Sequence, residues 1–150
     1  MKTYAHYLPY AVFIIALVSA ITSLYFSEVL KLTPCILCWY QRICMYPIVL
    51  ITAVNIVRKH TDIHYYILPF SVIGFFIALY QNLLVWHILP ENIAPCTNGV
   101  SCIDQPFTLL GFITIPLGSL FAFAVITIFM LLYAKLEKVE PAKANRKIQK

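Results

Sequence analysis

Apolar residues dominate this chain in four long runs, covering 8–26, 39–57, 67–88 and 112–133, with short polar stretches between them. Each run is near the ~20 residues that an α-helix needs to cross the hydrocarbon of a bilayer. Four membrane-spanning helices are therefore predicted. Formal charge lies outside the runs except for Arg42, inside the second and close to one end. The runs use up most of the 150 residues, so no soluble domain, internal repeat or low-complexity linker is expected. The predicted fold is all-α: an integral membrane four-helix bundle over 1–134, then a basic tail over 135–150 that is solvated and poorly ordered.

Composition agrees with this pattern. The chain is 61% hydrophobic and 11% charged, with a mean hydropathy of +0.83. A soluble domain of this length would need far more polar surface. Lys2 and the stretch Val18-Ser19-Ala20 loosely resemble a cleavable signal. The first run is longer than a usual signal core and continues past that stretch, so it is read as a retained helix.

The net charge of +5 raises the question of nucleic acid, and its distribution argues against it. Lys2, Arg58, Lys59 and every cation of the tail from Lys135 onward share one side of a four-span topology. The other side holds Lys31, set against Glu28, Glu91 and Asp104. The positive-inside rule then puts both termini in the cytoplasm. The tail reads as a topological anchor rather than a lipid-recognition module, although a basic segment beside the membrane favours anionic lipid in either case.

With that topology, four of the five cysteines fall on the outer side, where disulfides persist. Cys35 and Cys38 sit where the first outer connection enters the second helix, in Thr33-Pro34-Cys35-Ile36-Leu37-Cys38-Trp39-Tyr40-Gln41-Arg42. Thr33 suits an N-cap and Pro34 the first helical position, which places both cysteines in the first turns on one face. Unpaired N–H groups and the positive end of the helix dipole favour a thiolate there. Arg42 lies one turn deeper on the face of Cys38, where its charge would stabilise that thiolate or an anion beside it. Snorkelling to headgroups explains an arginine near a helix end, but not this register, and intramembrane ionisable residues are functional candidates by default.

Cys96 and Cys102 lie in the second outer connection, among Pro90, Pro95 and Pro106 and around the turn signal Asn98-Gly99. They read as a small disulfide-closed loop able to meet a partner. Two cysteine pairs can also hold zinc, but structural zinc sites prefer two tight knuckles, and C-x5-C is loose; no metal is expected. Cys44 lies on another face among apolar neighbours and packs as a small hydrophobe. Pro47, Pro69 and Pro116 read as kinks or helix starts.

Two dithiol pairs without a soluble redox domain point to an electron relay, from an outside protein to the loop pair and then to the helix pair. The electrons must leave, and the chain has no haem C-x-x-C-H, no Rossmann glycine pattern and no flavin signature. A quinone fits, because it takes two electrons, dissolves in the bilayer and can be attacked by a thiolate.

The Thr33–Arg42 stretch followed by Met45-Tyr46-Pro47, the Cys96/Cys102 loop, and Gly111-Phe112-Ile113-Thr114-Ile115-Pro116 together resemble the DsbB family, closest to its BdbC-like branch. The resemblance runs to about Tyr133 and includes the order of the two cysteine pairs. It implies a membrane thiol–disulfide oxidoreductase that reoxidises an extracytoplasmic thioredoxin-fold dithiol oxidase, DsbA- or BdbD-like. The electrons would pass to menaquinone or ubiquinone, supporting disulfide formation in exported proteins at the plasma membrane, a role catalogued with folding helpers. Carried over by position, Cys96 would hold the mixed disulfide with the partner and Cys102 would pass electrons to Cys35. Cys38 would face the quinone, with Arg42 stabilising charge on it. Some relatives place a pocket histidine on the third helix where this chain has Gln81-Asn82; His87 is more than a turn later, beside Trp86. Gln81, Asn82, Trp86 and His87 are the pocket candidates here, with an interfacial role as the commoner use of His87. Gln41 replaces an acidic residue of other branches, so no carboxylate role is assigned there.

Other readings remain open at this stage. One is a vitamin K epoxide reductase-like enzyme, against which the order of the cysteine pairs argues. Another is a non-catalytic four-span scaffold pinned by loop disulfides. A small multidrug transporter is a weaker fit, because the first span has no intramembrane carboxylate.

Overall fold

The computed structural model describes residues 2–31, 35–58, 62–86, 88, 108–109 and 113–148, with side chains over 7–31, 35–58, 62–86, 88 and 115–137. Its elements are α1 (Lys2–Glu28), α2 (Ile36–Arg58), α3 (Ile63–Val85), β1 (Thr108–Leu109), β2 (Ile113–Thr114) and α4 (Ile115–Ile148). Among the described residues, four segments are long and apolar enough to cross a membrane: Tyr7–Glu28, Ile36–Arg58, Ile63–Val85 and Ile115–Glu137. In hydrocarbon every backbone N–H and C=O must be paired within the protein, and a helix does that within one segment.

The third helix begins at Ile63, ahead of the expected start at 67, because it runs straight through Pro69. Pro47 is likewise inside α2. Pro116 does open a helix, standing second in α4, where a missing N–H breaks no intrahelical bond. Just before it, β2 pairs antiparallel with β1, Thr108 opposite Thr114 and Leu109 opposite Ile113, a contact with too few residues to leave a period in the sequence. At its other end α4 continues past the apolar run to Ile148, so no break in the helix marks residue 135.

The helices form a ring in which α1 packs on α2 and α4, and α3 packs on the same two. On α1 the buried positions Val12, Ala16 and Ala20 recur every four residues, which lines them along one face. Ile48 of α2, Ile67 and Ala78 of α3, and Phe123, Ile126 and Met130 of α4 complete the core. Gly74 sets the distance between α3 and α4: a Cβ there would run into the Phe123 ring. Small residues at such crossings let helix backbones approach. Outward positions such as Ile14, Leu50, Phe76 and Phe121 are more than half exposed, as suits surfaces that meet lipid. Thr52, Ser71 and Thr127 return their hydroxyls to carbonyls of their own helices, which satisfies them in apolar surroundings.

One polar contact was not anticipated. His64, in the first turn of α3, brings Nδ1 to 3.1 Å from Oε2 of Glu137 on α4. Among the described residues neither atom has an aligned hydrogen bond, so this is an ion-pair approach and not a directed bond. It lies at the end of the bundle opposite Cys35 and Cys38.

Candidate active site

The end of α1, the start of α2, the end of α3 and the start of α4 meet at one end of the bundle. After α1 the N–H groups of Val29 and Leu30 both turn back to Tyr25 O, at 3.0 and 3.3 Å, and Lys31 takes a left-handed φ of 51°. The chain thereby reverses into α2 within a few residues. Thr33 and Pro34, the expected cap and first helical residue, lie outside the described residues. Cys35 itself occupies the capping position of α2: its carbonyl accepts the N–H of Trp39 at 3.1 Å. Its sulfur accepts the N–H of Cys38 at 3.3 Å, taking the place of the oxygen that usually caps a helix start.

That local geometry brings the two sulfurs together. Cys35 Sγ and Cys38 Sγ are 2.8 Å apart as a hydrogen-bonded thiol pair. Cys35 is 2% exposed, and Cys38 is half-buried. The hydrogen bond to Cys38 first, and burial second, push the Cys35 thiol well above its ordinary range, so Cys35 holds its proton while the pair is reduced.

Gln81, fully buried on α3, lies over both sulfurs. Its Nε2 is 3.4 Å from Cys35 Sγ and 3.4 Å from Cys38 Sγ. Its Oε1 accepts from Gln41 Nε2 at 2.7 Å, so a buried amide pair from α2 and α3 closes over the thiols. Asn82, the next residue, points elsewhere: its Nδ2 donates to Ala78 O at 2.7 Å and to Pro116 O at 2.9 Å. It ties α3 to the start of α4, while its Oδ1 is buried with no hydrogen-bond partner among the described residues.

Arg42 does not snorkel. It is 7% exposed; its Nε donates to Ser23 Oγ at 2.8 Å and its Nη2 to Ser23 O at 2.7 Å. The guanidinium carbon is 5.6 Å from the centre of the Trp39 ring, within cation–π range. The charge is thus fixed to α1, with the Trp39 ring at cation–π distance. Trp86 follows α3, and its side chain is about half exposed. His87, Cys96 and Cys102 lie outside the described residues. Cys44 is buried in the apolar core with Met45 and Ile48, as its neighbours in sequence indicated.

Sequence reading missed two partners. Ser23 was overlooked although a polar residue near the end of an apolar run is a signal in itself, and Gln41 was judged only by the carboxylate it lacks. Chemically, the arrangement can open and close one disulfide between neighbouring sulfurs in a mostly apolar setting. A fixed positive charge and a buried amide stand close by. Among the described residues no cluster of His, Cys, Asp and Glu could hold a metal ion.

Comparison with known proteins gives a consistent result. The sequence profile of the family described as "Disulfide bond formation protein DsbB" matches residues 6–133. The chain is 46% identical over 131 residues to "Disulfide bond formation protein C" of Bacillus subtilis (strain 168), covering 87% of this chain and 94% of that protein. It is 41% identical over 127 residues to "Probable disulfide formation protein C 2" of Bacillus cereus, covering 84% and 90%. A "Probable disulfide formation protein" of Chlamydia trachomatis is 36% identical over 135 residues, covering 90% and 98%. No solved structure matches the chain significantly.

Proposed function

From the premise that this chain belongs to the DsbB family, and so is a membrane oxidoreductase of disulfide formation, we propose that it is a thiol:quinone oxidoreductase. It takes two electrons from the dithiol of an extracytoplasmic thioredoxin-fold oxidase, DsbA- or BdbD-like, and delivers them to a membrane quinone. Both termini are cytoplasmic, the redox-active end of the bundle faces outward across the plasma membrane, and residues 135–150 anchor that orientation.

The observation that carries this reading is the Cys35–Cys38 pair, with sulfurs 2.8 Å apart at the end of an apolar bundle. Cys96 and Cys102 serve as the partner-facing pair, Cys96 taking the mixed disulfide and Cys102 passing electrons to Cys35. The residues at hand suit a quinone substrate: its carbonyl oxygen needs a donor, and Arg42 is a buried cation with more N–H groups than Ser23 takes. The quinol hydroxyl needs an acceptor, and Asn82 Oδ1 is a buried oxygen without a partner among the described residues. Menaquinone and ubiquinone both present these groups. A non-catalytic scaffold has no use for a buried cation and a buried amide pair beside a thiol pair, because each costs desolvation.

Thiol trapping tests the reading. The purified oxidised protein is mixed with a reduced thioredoxin-fold oxidase, quenched in acid and alkylated. Free thiols should appear at Cys35 and Cys38 and disappear again when quinone is added. Thiols that stay unchanged through both additions would point to the scaffold.

A further inference from the structure

The buried amide pair over the sulfurs has no counterpart among the roles assigned so far. Gln81 entered as a candidate for the quinone pocket, yet its amide points at Cys35 and Cys38. It is fully buried, equidistant from the two sulfurs at 3.4 Å, and locked from behind by the 2.7 Å bond from Gln41. Gln41 is 8% exposed and comes from the helix that carries the cysteines. The pair therefore ties the dithiol to α3 as well as to its own helix.

We propose that Gln81 is a positioning residue of the dithiol: its amide N–H, held in place by Gln41, stabilises the negative sulfur that appears when the Cys35–Cys38 disulfide opens. This rests on the redox role proposed above for that pair. When an attacking thiolate bonds to Cys35 Sγ, the Cys35–Cys38 bond breaks and its electron pair stays on Cys38 Sγ. The attacking sulfur gives up its negative charge and Cys38 gains it. Gln81 gives no proton and takes no electron; it offers a hydrogen bond that is stronger to a charged sulfur than to a neutral one.

The direction of the amide matters. If both amides turned over, Gln81 Oε1 would face the sulfurs, which suits a neutral S–H donor and repels a thiolate. Gln41 holds the donor forward, and it does so without charge, so the bond persists at any pH the membrane meets. A carboxylate at either position would reverse or weaken it.

The test is the reduction potential of the helix pair in the full-length protein. Cys44→Ala/Cys96→Ala/Cys102→Ala serves as the background so that Cys35 and Cys38 alone exchange with a glutathione redox buffer. Oxidised fractions are read by alkylation and peptide mass spectrometry. Gln81→Leu keeps the volume and removes the donor; it should shift the equilibrium about tenfold towards the disulfide, about 30 mV lower. Gln81→Glu should shift it further, and Gln41→Leu in the same direction by about threefold. If Gln81→Leu does not fold, Gln41→Leu carries the test, since Gln81 is intact there. Variants within error of the parent potential overturn the proposal. So does an unchanged potential with a raised quinone KM in the Gln81→Leu chain that keeps all its cysteines, which would return Gln81 to the quinone pocket. The measurement needs neither quinone nor partner. Potential shifts in the variants together with no quinol formed by the parent protein in the partner assay would therefore fault the quinone role and leave the function of Gln81 standing.

Discussion

Ser23→Ala offers a sharp probe of Arg42, because it leaves the charge in place and loosens only its anchor. The substitution removes the 2.8 Å bond from Arg42 Nε to Ser23 Oγ and keeps the 2.7 Å bond from Nη2 to the Ser23 carbonyl. A hydrogen bond involving a charged group contributes about 1.5–3 kcal/mol. The retained carbonyl bond and some rotation of the guanidinium should recover part of it, leaving a net loss of about 1–2 kcal/mol. If Arg42 must be held still to meet a quinone oxygen, that loss falls on quinone affinity. The expected change is then a rise of roughly five- to thirty-fold in quinone KM, since 1.4 kcal/mol is about tenfold. Arg42→Lys should lose more, because lysine keeps the charge but not the fork, and Arg42→Met should lose most of the activity. The assay is quinol formation at saturating reduced partner over a range of quinone concentrations. If Ser23→Ala and Arg42→Met both keep the parent KM and kcat, Arg42 only packs α2 against α1 and the electrostatic account is wrong.

Three further outcomes are expected. Cys38→Ser should abolish quinone reduction, while Cys96 can still be trapped in a mixed disulfide with reduced partner; quinol formation at the parent rate would contradict the assignment of Cys38. Cys44→Ala should keep turnover within about twofold, because the thiol is buried in the apolar core away from the pair; a large loss in a well-folded variant would show that its face has been misread. Gly74→Ala should cost about 1–3 kcal/mol through overpacking against Phe123, read as a lower Tm in detergent; an unchanged Tm would mean that α3 and α4 separate freely.

Much of the fold was legible because a bilayer permits few solutions. Runs of apolar residues with charge at their margins can only be helices there, and the expected spans agree with the membrane-spanning segments of the four helices to within a few residues, although α1 and α4 extend beyond them. The start of α3 was misplaced for a physical reason: His64, Tyr65 and Tyr66 dilute its apolar signal, and Pro69 looks like a first-turn residue although the helix runs through it. At the site, the cysteine spacing and Arg42 were visible because they are local. The Gln41–Gln81 bond was not, since it joins residues 40 apart whose meeting depends on which faces of α2 and α3 pack together. Ser23 and Arg42 are separated in the same way, 19 residues apart. No periodicity marks such pairs, and a lone glutamine in an apolar run does not announce its partner.

The most direct measurement of the central claim is quinol formation by the purified protein in lipid vesicles. Reduced thioredoxin-fold oxidase and either menaquinone or ubiquinone are supplied, and quinone absorbance is followed beside the thiol content of the oxidase. Electron transfer through the Cys35–Cys38 pair predicts one quinone reduced for each oxidase dithiol converted to disulfide, and none with Cys38→Ser. Oxidation of the partner with no loss of quinone absorbance, or quinone loss that persists in Cys38→Ser, would contradict it.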